Sequence, residues 1–162
     1  VVHLIKLLSR SAEETTEVGH RLGKSLSAGD VVALSGVLGS GKSVFARGIL
    51  RGLGIGGEIP SPSFIIAASY EGRLSVNHID LYRLETPEEA IAAGVEDLLY
   101  SGGVSVIEWA EKIGDLLPHS RIEVTIEPGG APYERVLTIR PCASVRERLM
   151  PFARGLMDVS ES

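Results

Sequence analysis

The chain has 162 residues, 44% of them hydrophobic and 23% charged, proportions of an ordinary folded domain that argue against disorder. Its formal net charge of -5 and sequence pI near 5.4 leave no general basic surface for a phosphate backbone, which argues against direct, tight nucleic-acid binding. The single cysteine, Cys142, excludes an intramolecular disulfide framework and argues against a structural zinc site, no apolar run approaches the about 18 residues of a membrane span, and residues 1–10 lack a secretion signal; a reducing cytoplasm and no membrane are expected.

In chain order, residues 3–9 read as a short strand and residues 11–27 as a helix, with Ser11 and Glu14 at capping-box spacing. Gly29 and Asp30 break the pattern. Val31, Val32, Ala33 and Leu34 then form a compact apolar run that suits a strand buried on both faces. From Lys42 to about Leu53, Val44, Phe45, Ile49 and Leu53 recur at helical intervals, and Gly52, Gly54, Gly56 and Gly57 stop the helix and open a mobile loop. Residues 63–70 and 74–79 are β-rich, and Glu71-Gly72-Arg73 joins them as a hairpin. Asp80 follows the second strand.

Thr86 and Pro87 start another helix, as N-cap and first helical residue, which runs to Tyr100 with an interruption at Gly94. A brief strand over 103–107 delivers Glu108 and Trp109, before a helical segment that closes at Pro118. Residues 121–126 and 135–139 flank a Pro- and Gly-rich connection over 128–132 and form a C-terminal hairpin, and 144–157 resembles a terminal helix. No repeat or linker divides the chain, so it is expected to be one domain over 1–162.

The central motif is Gly36-Val37-Leu38-Gly39-Ser40-Gly41-Lys42-Ser43, a full G-x-x-x-x-G-K-[ST] match with an apolar strand before it and an amphipathic helix after it. Its glycines allow successive backbone N–H groups to turn around phosphate oxygens, and the new helix aims its positive end at the same anion. Lys42 supplies a mobile charge for the β- and γ-phosphates, and the Ser43 hydroxyl a ligand for Mg²⁺. The expected nucleotide contacts are Gly36, Leu38, Gly39, Ser40, Gly41, Lys42, Ser43 and Val44. Asp80 and Glu108 each follow an apolar strand, where α/β sheets gather their ligands, so both are candidate catalytic acids and, with Ser43, candidate metal ligands. The pattern leaves open which of them ligates the metal and which orients water.

These residues, together with Ser61-Pro62-Ser63-Phe64, His78-Ile79-Asp80-Leu81-Tyr82-Arg83 and Glu108-Trp109, resemble the bacterial TsaE (YjeE) family over nearly the whole chain. The resemblance implies a single-domain α/β P-loop NTPase with a mixed, mainly parallel central sheet flanked by helices. It implies an ATPase that binds ATP/ADP and Mg²⁺ and acts on a complex of TsaD and TsaB in the threonylcarbamoyladenosine modification of tRNA, touching tRNA only through that complex. Asp80 then resembles the Walker B acid, Glu108 a second metal-site acid, Ser63 part of a nucleotide-sensing loop, and Trp109 a neighbour of the nucleotide. Val37 stands where the family often has an acid, and Ser63 where threonine is commoner. The alternatives are a small-molecule kinase, which would need an acceptor pocket and an arginine-bearing lid, and a nucleotide-dependent binding module with little turnover.

Overall fold

The alternation of apolar runs and amphipathic segments builds one layered α/β unit in the computed structural model, which describes residues 4–60, 62 and 66–160. The strands are β1 (Ile5–Ser9), β2 (Val31–Ser35), β3 (Ala67–Glu71), β4 (Ser75–Asp80), β5 (Val104–Glu108), β6 (Ile122–Pro128) and β7 (Arg135–Pro141). The helices are α1 (Ala12–Ser25), α2 (Lys42–Gly52), α3 (Pro87–Ala92), α4 (Val95–Leu99), α5 (Ala143–Arg146) and α6 (Met150–Ser160). The strands form one sheet in the order β1-β7-β6-β2-β5-β4-β3. Its centre, β6-β2-β5-β4, is parallel, and antiparallel strands close both flanks.

Period-two alternation divides the core. Val32 and Leu34 join the cluster under α1, α2 and α6, whereas Val31 and Ala33 join the one under α3 and α4. Residues 31–34 of β2 are therefore buried on both faces, as their uninterrupted apolar run requires. On the first face α1 and α2 run side by side in close contact. A Cβ on Gly19, Gly23, Gly48 or Gly52 would come within 2.1–2.5 Å of a carbonyl oxygen of the other helix, so only glycine lets the two backbones approach this closely.

Local chemistry sets the ends. Ser11 accepts from the N–H of Glu14 at α1, and Thr86 from that of Glu89 at α3. Gly94, at φ 81°, separates α3 from α4. Three expectations shift. The segment before Pro118 forms two 3₁₀ turns, Ala110–Lys112 and Gly114–Leu116, rather than an α-helix. The terminal helix expected over 144–157 is split into α5 and α6, because Pro151 has no N–H to donate and is tolerated only in the first turn of a new helix. Asp80 and Glu108 are the last residues of their strands rather than lying beyond them. Residue 3 of the first expected strand and residues 63–65 of the third lie outside the described residues.

Candidate functional site

β2 delivers the chain to Gly36, and residues 36–43 turn back into α2 at the carboxyl end of the parallel strands. Glycine is required in this loop. A Cβ on Gly36 would lie 2.4 Å from the Ile126 carbonyl and 2.7 Å from Ser40 Oγ, and Gly39 and Gly41 have φ of 78° and 106°. Gly41 is the N-cap of α2. Among the described residues, the N–H groups of Gly41, Lys42, Ser43 and Val44 meet no protein acceptor, so the first turn presents a row of unpaired donors.

Lys42 lies under this loop. Its Nζ donates to the carbonyls of Gly36 at 2.5 Å and Val37 at 2.9 Å, and to Ser40 Oγ at 3.3 Å. Its ammonium also sits 4.0 Å from the centre of the Trp109 ring. Burial lowers the Lys42 pKa, against the attraction of Glu111, Glu108 and Asp80, which raises it. Trp109 adopts a left-handed conformation, φ 60°, directly after β5, unusual for so bulky a residue, and this turn places the indole against Lys42 and against Tyr82, 5.3 Å away between ring centres. Val37 and Leu38 point outward, 61% and 71% exposed.

The acids converge with them. Asp80 and Glu108 are register partners on the adjacent parallel strands β4 and β5, so both carboxylates emerge on the face that carries α2. Glu108 Oε1 accepts from the Ser43 hydroxyl at 2.7 Å, and its Oε2 lies 2.6 Å from Nε2 of fully buried His78. Asp80 Oδ1 accepts from the N–H of Tyr82 at 2.9 Å. Burial raises the Asp80 pKa; the Tyr82 N–H opposes the rise and the neighbouring Glu108 adds to it. The oxygens of Ser43, Glu108 and Asp80 are the hard donors that Mg²⁺ takes, and no larger cluster of metal-ligating side chains occurs among the described residues. So sparse a set fits an ion that keeps several waters and shares a nucleotide's phosphates.

The loop residues, Lys42, Ser43, Asp80, Glu108 and Trp109 thus come together, and Ser63 lies outside the described residues. Arg47, expected to face solvent or a carboxylate, is half-buried and has no ion pair among the described residues. His78, part of the motif around Asp80 and read as shaping the site or as an ordinary packed side chain, stands two residues before Asp80 and so shares its strand face. One contributor was not anticipated. Arg135 carried no local signal; it reaches the loop from β7, with Nε 2.9 Å from the Ser40 carbonyl. A cleft of about 680 Å³ bounded by Arg73, Ser75, Asn77 and Gly103 lies at the opposite, amino end of the parallel strands and contains none of these groups.

A buried parallel strand, a G-x-x-x-x-G-K-S loop, a helix rising from it and acids on neighbouring strands together define the class of P-loop NTPases. Within that class the chain belongs to the TsaE family, whose model, described as threonylcarbamoyl adenosine biosynthesis protein TsaE, matches residues 9–136. It is 40% identical over 122 residues to the tRNA threonylcarbamoyladenosine biosynthesis protein TsaE of Treponema pallidum (strain Nichols), covering 75% of this chain and 90% of that protein. It is 35% identical over 127 residues to the TsaE protein of Bacillus subtilis (strain 168), covering 78% and 79%. The crystal structure of YdiB from Bacillus subtilis superposes with a TM-score of 0.79 at 28% identity, over 96% of this chain and 97% of that one.

Proposed function

We propose that this chain is a Mg²⁺-dependent ATPase of tRNA threonylcarbamoyladenosine biosynthesis that acts on a TsaD–TsaB complex to activate or reset it. The observation that carries the reading is the convergence of Lys42, Ser43, Asp80 and Glu108 from three neighbouring elements on one loop. In this reading the N–H row of residues 41–44 holds the phosphates, and Lys42 leaves the carbonyls of Gly36 and Val37 to meet the β- and γ-oxygens. Ser43, Asp80 and Glu108 are the residues that would hold Mg²⁺, which when bound would neutralise charge on the phosphate oxygens.

His78 and Ser43 hold the two oxygens of Glu108, so that carboxylate has a fixed orientation before any ligand arrives. Asp80 is held by the Tyr82 N–H and, among the described residues, its Oδ2 has no protein hydrogen bond and is left for a water or the metal. Trp109 covers the Lys42 side of the site and limits the access of solvent there. The chain then forms one ATPase domain, with the C-terminal hairpin and helices as part of it.

The test is reconstituted tRNA modification with this protein, TsaB and TsaD, supplied with a separately prepared threonylcarbamoyl donor. A resetting role is expected to leave the first turnover nearly unchanged and to raise product in later ones. Equal product with and without this protein across many turnovers would contradict it.

A further inference from the structure

The outer face of the glycine loop is held by a residue from the far flank of the sheet. Arg135 opens β7, and among the described residues its guanidinium donates only to backbone carbonyls: Nε to Ser40 at 2.9 Å, Nη2 to Gly39 at 3.4 Å, and Nη1 to Pro132 at 2.9 Å and Glu134 at 2.8 Å. No carboxylate among the described residues forms an ion pair with it. A half-buried arginine spent entirely on the carbonyls of a loop and a hairpin is acting on backbone orientation.

The consequence follows from the planarity of the peptide. In a trans peptide the C=O and N–H point in opposite directions, so an outward Ser40 carbonyl turns the Gly41 N–H inward. Gly41 is the first of the unpaired donors of the cradle. The peptides on either side are easy to reorient, because Gly39 and Gly41 both occupy conformations in which glycine has little steric preference. Lys42 ties the first residues of the loop, Gly36 and Val37, from within. Arg135 ties its middle from without.

We propose that Arg135 is a positioning residue for the phosphate-binding loop: by holding the Gly39 and Ser40 carbonyls outward, it fixes the Ser40–Gly41 peptide with its N–H aimed at the ligand. The proposal rests on the reading that this loop takes the phosphates of a nucleotide. The planar fork of arginine reaches the loop carbonyls of Gly39 and Ser40 and the hairpin carbonyls of Pro132 and Glu134 at once, a spread of four acceptors that the single ammonium of lysine cannot span.

The experiment compares ADP binding by calorimetry, thermal unfolding, and the Gly41 amide resonance in ¹⁵N–¹H spectra for the parent, Arg135→Met, Arg135→Lys and Lys42→Ala. Arg135→Met is expected to weaken ADP about 10-fold, the loss that misaiming one charge-assisted donor brings, and to abolish most of the shift of the Gly41 resonance at saturating ADP. Arg135→Lys is expected to restore only part of the affinity. Parental ADP affinity and a parental Gly41 shift in Arg135→Met would overturn the proposal. If Arg135→Met does not fold, Arg135→Lys decides alone, since parental affinity there would mean that a point charge suffices. Loss of ADP binding in Lys42→Ala together with an unaffected Arg135→Met defeats this proposal and leaves the nucleotide reading standing; a parent that fails to bind ADP defeats both.

Discussion

Glu108 meets Ser43 with one carboxylate oxygen and His78 with the other, while Asp80, its register partner, is held by a single backbone N–H. The two acids therefore differ in how firmly they are oriented, and substitution can separate their roles. Asp80→Asn and Glu108→Gln are each expected to depress partner-stimulated ATP hydrolysis while retaining nucleotide binding, because the loop's N–H groups remain. A Mg²⁺ titration of turnover distinguishes them: rescue at high Mg²⁺ marks lost metal affinity, and a persistent defect marks lost positioning. Asp80 also carries a cost. Burial raises its pKa, so its ionised form is disfavoured in the folded state; that destabilisation is full above the folded pKa and is relieved as pH falls through it toward the lower, unfolded value. Asp80→Asn is thus expected to raise the melting temperature of the ligand-free protein at neutral pH. The gain should shrink in acid. If Lys42 meets the phosphates as proposed, Lys42→Ala removes a charge-assisted contact of about 1.5–3 kcal/mol, and ADP affinity should fall about 10-fold or more in calorimetry. The fold should persist, since the lysine contacts loop carbonyls and one ring face rather than filling the apolar core.

Helix α2 carries Lys42 and Ser43, so the geometry of the cradle depends on what fixes that helix. Its inner side is fixed against α1 by backbone contact at Gly19, Gly23, Gly48 and Gly52. A Cβ at Gly48 would lie 2.4 Å from the Thr16 carbonyl, and backbone there cannot yield without moving a helix. Gly48→Ala is expected to cost about 3 kcal/mol in denaturant unfolding, at the upper end for overpacking. Gly56→Ala is the control, because nothing lies within 4 Å of its Cβ position; it should change stability by less than about 0.5 kcal/mol. These contacts also show where sequence reading stops. Apolar runs marked β2, β4 and β5, and the rule that ligands gather at strand ends led to Asp80 and Glu108. Gly52 was read as a helix stop, and Gly19, Gly23 and Gly48 drew no reading at all, since the purpose of each lies in the other helix. Arg135 was missed for the same reason: its partner is 95 residues away in sequence, and no local spacing encodes such a contact. The split between α5 and α6 was legible, because Pro151 was in view and its missing N–H predicts a new first turn.

At the scale of the whole molecule, the site is a loop on the rim of a sheet, with Val37 and Leu38 exposed at its tip and Tyr82 half-exposed beside Trp109. Among the described residues no helix is long and apolar enough to cross a membrane. A rim site with exposed apolar side chains suits an enzyme whose site is completed by another protein, and this is the feature that separates the proposed ATPase from a self-contained kinase. The chain alone is expected to turn over ATP slowly. The most direct measurement is the steady-state rate of ATP hydrolysis by the purified protein, with and without a TsaB–TsaD complex, beside Lys42→Ala under the same conditions. Slow hydrolysis alone, clear stimulation by the complex, and loss of the stimulated rate in Lys42→Ala are expected. An ATPase rate that the complex leaves unchanged, or a stimulated rate that survives Lys42→Ala, would contradict the proposed function.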